Sequence, residues 1–147
     1  MTKLIGALEV ALDQKVYSDD FVPLEKTDQL REAFFKMITE NEGNTRITWS
    51  GDKTIEVMRI ISEIRCPGAK VVVFHQYDKF TGALIVDPKA VLSHVQDIWP
   101  IVDQDLSLCT ETLDDGFCLE FNHYGNHDEY ELTTWGFFSP RRKNGVC

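Results

Sequence analysis

The chain has 147 residues, with 24 acidic against 15 basic side chains, a formal charge of −9 and a 43% hydrophobic share. That size and apolar content fit a single folded domain over 1–147, and an aromatic share of 11% argues against disorder. The acid excess argues against nucleic acid or an anionic membrane surface as partner, and no apolar run approaches the roughly 20 residues that span a bilayer.

The opening stretch is interrupted by Glu9 and Asp13 and lacks a small-residue cleavage site, so it is not read as a signal peptide. A cytoplasmic location is expected. Leu4, Ile5, Leu8 and Leu12 in that stretch follow helical spacing. Pro23 marks a break, and Thr27 is a candidate N-cap with Asp28 in the first turn. Leu30, Ala33, Phe34, Met37 and Ile38 then form the apolar stripe of an amphipathic helix, ended by Gly43. Arg46 to Trp49 reads as a short strand.

Asp52 is the expected cap of a third helix carrying Ile55, Met58, Ile61 and Ile64, stopped at Cys66-Pro67-Gly68. Val71 to Tyr77 is the clearest strand, apolar enough to lie centrally in a sheet. A turn from Lys79 to Gly82 leads to a second strand, Ala83 to Val86. Asp87-Pro88 reads as N-cap and first helical residue of a helix bearing Val91, Leu92, Val95 and Ile98, closed by Pro100.

The last third alternates with period two. Leu106, Leu108 and Thr110 form one strand, and Asp114-Asp115-Gly116 supplies a turn. Phe117, Leu119 and Phe121 mark the next strand, and Glu129 to Phe137 a final one, giving an antiparallel meander with one apolar face. The fold class is α+β: N-terminal helices packed on a mostly antiparallel sheet, with a C-terminal β-meander. Residues 139–147 are expected to form a flexible basic tail with Arg141, Arg142 and Lys143.

Few residues stand in a pattern that carries catalytic chemistry. There is no phosphate-binding glycine loop and no nucleophile motif. His123 and His127 are four apart, but Gly125 and Asn126 between them read as a hairpin loop, where that spacing fixes no metal geometry. No metal or cofactor is expected. The four cysteines, Cys66, Cys109, Cys118 and Cys147, match no zinc or redox spacing and are expected to be reduced, with Cys109 and Cys118 the plausible pair if any forms. His75 in the apolar strand reads as a satisfied buried histidine.

Charge is the distinctive feature. Residues 90–140 hold ten acidic and no basic residues, −10 against +1 for the rest of the chain. If Leu119, Phe121 and Leu132 face the core, then Asp105, Glu111, Glu120, Glu129 and Glu131 face outward together, joined by Asp114, Asp115 and Asp128 from the adjoining turn and loop. The same parity sets Trp135 on the outward side, where it is a candidate aromatic anchor, although a tryptophan there is more often a core residue. A face of one sign attracts and orients a cationic partner.

In these traits, most strongly from Val71 to Phe138, the chain resembles the immunity proteins of bacterial toxin systems, including those of contact-dependent inhibition. The resemblance implies no catalytic activity. It implies a tight complex with a basic toxin domain, often a nuclease, whose active-site cleft the acidic residues occlude. Two other readings stand beside it. One is a cone-shaped enzyme or ligand-binding domain whose pocket is lined by His75, Tyr77, His123 and Trp135. The other is an acidic adaptor for a different basic protein.

Overall fold

The computed structural model describes residues 2–41, 47–49, 59, 64–102, 105–124 and 127–138; for 47–49, 121–124 and 127–130 it describes the backbone. Most of the expected third helix, its cap Asp52, the helix stop at Gly43, the loop residues Gly125 and Asn126, and the tail 139–147 lie outside the described residues.

Five described α-helical segments and six strands follow in order. They are α1 (Thr2–Leu12), α2 (Leu24–Asn41), β1 (Ile47–Trp49), β2 (Val71–Val73), α3 (Asp78–Thr81), β3 (Leu84–Val86), α4 (Pro88–Ser93), α5 (Val95–Ile98), β4 (Leu106–Cys109), β5 (Gly116–Tyr124) and β6 (His127–Trp135). The strands form one sheet in the order β1-β6-β5-β4-β2-β3, and every described pairing is antiparallel. The α+β class and the C-terminal meander β4-β5-β6 are as the sequence leads one to expect. No described helix is long and apolar enough to cross a membrane.

The sheet is packed on both faces, which corrects the expectation of one apolar face. On the first face Val71, Val73, Leu84, Val86, Leu106, Leu108, Phe117, Leu119 and Leu132 meet Leu4, Leu8 and Leu12 of α1 and Val91, Val95 and Ile98 of α4 and α5. On the second, Val72, Phe74, Cys109, Cys118 and Trp135 meet Leu30, Phe34 and Ile38 of α2. Cysteine and threonine placed in alternation with large apolar residues look polar in sequence. Under a helix they are small enough to be covered, and Cys109, Cys118 and Thr133 are buried.

Trp135 is the clearest case. Its parity is as expected, opposite to Leu132, but the residue is only 7% exposed. Its ring lies 5.6 Å from that of Phe34, which in turn lies 5.3 Å from Phe74. The indole Nε1–H donates to the Leu113 carbonyl at 2.9 Å. Gly116, paired with Trp135 across β5–β6, gives the indole its space, since a Cβ there would overlap the ring. Trp135 is thus a core residue and not an exposed anchor.

Local chemistry adjusts the expected boundaries. Helix α2 starts at Leu24, a turn before Thr27, whose buried hydroxyl instead donates to Val22 O and accepts from Ala83 N, tying the helix to the edge strand β3. The strand from Val71 stops at Val73 because the backbone turns at His75 into the single helical turn α3. Asp87 caps α4 as expected, its Oδ1 accepting from Lys89 N at 2.9 Å, with Pro88 at the first helical position. The expected single helix is broken at His94 into α4 and α5.

Cys109 and Cys118 are free, whereas Cys66 is disulfide-bonded, against the expectation of four reduced thiols. A disulfide depends on the approach of two Cβ atoms in the fold, which spacing along the chain does not report. Burial pushes the Cys109 thiol up to about 12 and Cys118 higher still, so both are protonated and unreactive near neutral pH.

Trp135→Ala removes the centre of the second core, and the expected loss of folding stability is about 3–5 kcal/mol. Urea unfolding of the purified variant measures it; a loss below about 1 kcal/mol would contradict the core assignment.

Candidate functional site: a row of carboxylates across the meander

The acidic residues singled out by the sequence divide into two groups along the strands. The first lies midway along β5 and β6. Glu120 and Glu131 are directly opposite each other in the β5–β6 register, and both are half-buried. Leu106 pairs with Leu119, so continuing that register by one residue sets the exposed Asp105 beside Glu120. Asp105, Glu120 and Glu131 therefore form a row across three adjacent chain segments. The electrostatics of Cys118 report the same proximity: after burial, which dominates, the Glu120 and Asp105 carboxylates push its thiol further up. The Cys118 Sγ–H donates to Glu120 Oε1 at 3.8 Å. Asp128 and Glu129 lie further toward the hairpin end, across from His123 and Asn122; their side chains are outside the described residues.

The second group sits at the other end of β5. Neighbouring residues of a strand rise about 3.3 Å each, so the turn before Gly116 is roughly 13 Å from the level of Glu120. Here Glu111 is exposed and forms an ion pair with Lys26 of α2 at 2.6 Å, with the two side chains 45% and 48% exposed. A pair this solvated adds little stability. Asp114 accepts from the Thr112 hydroxyl at 3.0 Å. Asp115 Oδ1 accepts from Phe137 N at 2.7 Å, fastening the β4–β5 turn to the end of β6. Gly136 has φ +66°, and a Cβ there would strike Asp115. Asp115 is thus a structural ligand of the backbone, and Glu111 is partly neutralised.

The pocket envisaged around His75, Tyr77, His123 and Trp135 is not assembled. His75 lines a cavity of about 320 Å³ with Arg31, Phe35, Asp78, Asp105 and Ser107. Tyr77 instead lines another, of about 450 Å³, with Phe80 and Ile101, and Trp135 is in the core. The side chain of His123 is outside the described residues.

What sequence reasoning missed is a buried polar cluster. Asp78, 1% exposed, is ion-paired with Arg31 of α2, and its Oδ2 also accepts from His75 N at 2.9 Å. The Arg31 guanidinium lies over the Phe74 ring at 5.0 Å. His75 Nδ1 accepts from Tyr77 N at 3.1 Å, so the ring proton is on Nε2, which donates to the Gly82 carbonyl at 3.0 Å. Both ring nitrogens are engaged, leaving neither to accept a substrate proton. The cluster joins α2 to α3, and its sequence signal is slight: an aspartate three residues after a histidine, and an arginine on the flank of an amphipathic helix. Among the described residues, no group of three His, Cys, Asp or Glu side chains has an arrangement that could hold a metal ion.

Burial, the largest influence, holds His75 below its ordinary 6.5. The unfolded chain then takes up a proton that the folded chain does not, so stability is full above pH about 6.5 and declines as pH falls below it. The expected result is that His75→Gln flattens this decline, measured by urea unfolding between pH 5 and 8; an unchanged pH dependence would contradict the assignment. Asp78→Ala leaves Arg31 without its partner and should cost about 3 kcal/mol, the low end for a broken buried pair because Arg31 keeps some contact with water. A loss under about 1 kcal/mol in the same assay would contradict it.

Comparison with known protein families, with characterised proteins and with solved structures found no match for this chain.

Proposed function

We propose that the chain is a binding protein that neutralises a cognate bacterial toxin domain, in the manner of immunity proteins, by laying its acidic meander across a basic active-site cleft. The observation that carries this reading is the row Asp105, Glu120 and Glu131, within a 51-residue stretch (90–140) that has ten acids and no lysine or arginine. A stretch of chain with so one-sided a charge attracts a cationic partner and accelerates its approach. In a nuclease the same carboxylates would occupy the positions of phosphates. Glu129, two residues before Glu131 in β6, extends the proposed surface along that strand, with Glu111 and Asp114 at its far margin; Asp115, Asp128 and Trp135 are left out of it.

Catalysis is a weaker reading because the buried histidine is consumed by the fold. The proposed compartment is the cytoplasm, where such a toxin acts. The Cys66 disulfide pulls the other way, since disulfides are rare in reducing compartments.

The test is capture of the partner on the tagged chain from the bacterium that encodes it, washed at low and at high salt. The account expects one basic toxin domain, with an association rate that falls steeply as salt rises. Reversing Asp105, Glu120 and Glu131 to Lys should weaken binding by several kcal/mol, the order found for close interfacial charge pairs. The corresponding Asn and Gln variants, smaller perturbations of the fold, should weaken it in the same sense. A folded triple variant that binds its partner, or protects cells, as well as the parent does would overturn the proposal.

A further inference from the structure

Away from the acidic row, three of the fifteen basic side chains line one cavity. It measures about 470 Å³ and lies between the segment 65–70 and the start of α4, with Arg65, Lys70, Lys89 and Phe137 among its lining. Among the described residues neither Arg65, Lys70 nor Lys89 makes an ion pair, although the chain carries nine more acids than bases. The one acid in the lining, Asp87, already accepts a hydrogen bond from the backbone as the cap of α4. Three cations against one carboxylate, with no ion pair among them, is an unusual balance for so acidic a chain, because like charges repel unless an anion sits between them.

Arg65 adds a second observation. Its guanidinium lies over the Phe137 ring, 5.3 Å from the centroid, so the planar fork is held in place. Its Nε–H is buried and has no acceptor. A buried donor left unpaired is costly, and an oxyanion seated against the guanidinium would supply the missing acceptor. Lys70 and Lys89 are exposed at the cavity and free to close on the same group as point charges.

We propose that this cavity is a binding site for a small oxyanion, a phosphate or carboxylate group, held by the Arg65 fork and flanked by Lys70 and Lys89. The site is independent of the acidic row and goes beyond the partner-binding reading: it takes a ligand of the opposite sign.

Titration of the intact, oxidised chain with inorganic phosphate, and separately with citrate, tests it by calorimetry against sodium chloride of matched ionic strength. Saturable binding of one-to-one stoichiometry is expected, and whichever of the two anions binds more tightly identifies the chemistry of the natural group. Lys70→Met combined with Lys89→Met should weaken that binding by about tenfold or more, with the melting temperature in chloride unchanged because both side chains are exposed. The proposal is overturned if neither anion binds saturably beyond the chloride control, or if the double variant binds as well as the parent.

Discussion

Both faces of the sheet are apolar, and that constraint governs where everything else in the molecule can be. Val71 and Val73 point to one side while Val72 and Phe74 point to the other, so neither side can be left in water. α1, α4 and α5 cover the first face and α2 the second. The cover on the second face thins along the strands: Cys118 and Thr133 are buried, whereas Glu120 and Glu131, one alternation further, are half-buried. The acidic row follows one alternation beyond the positions that α2 buries.

The position of α2 rests on contacts that are polar as well as apolar. Phe34 wedges between Phe74 and Trp135, while Thr27 is stitched to Val22 and Ala83, and Arg31 to Asp78. These polar contacts fall at the end of α2 nearest β3, where the edge strand would otherwise present unpaired backbone. The segment at Phe21 and Val22 closes that edge, with Val22 N donating to Ala83 O at 2.8 Å. Gly82, at φ +86°, allows Val22 to come this close, since a Cβ there would overlap its carbonyl. The buried cluster is better understood as the clamp between α2, α3 and β3 than as an active site.

The elements that sequence made legible are those written in periodicity. The stripe Leu30, Phe34 and Ile38 marked α2, period-two alternation marked β4 to β6, and Asp87-Pro88 marked the start of α4. What periodicity could not say is how many layers would cover the sheet. Cys109, Cys118 and Thr133 are small side chains that serve equally in water or beneath a helix, and the choice is made by α2, about 70 or more residues earlier in the chain. Trp135 inherited that ambiguity. For the acidic residues, alternation placed Glu120 and Glu131 on one face but gave neither their pairing nor the separation of Glu111, Asp114 and Asp115. That separation follows from turn hydrogen bonds and from Lys26, which is distant in sequence. The Arg31–Asp78 pair, 47 residues apart, had only a slight local signature.

The proposed function rests on the acidic row acting as a contact surface. The most direct measurement is carbodiimide labelling of surface carboxylates in the free chain and in complex with its captured partner, read residue by residue by mass spectrometry. The account predicts that Asp105, Glu120 and Glu131 lose reactivity in the complex while Asp19 and Glu25, near the N-terminal end of α2, keep theirs. Unchanged labelling of all three residues in the row, with protection elsewhere on the chain, would contradict it.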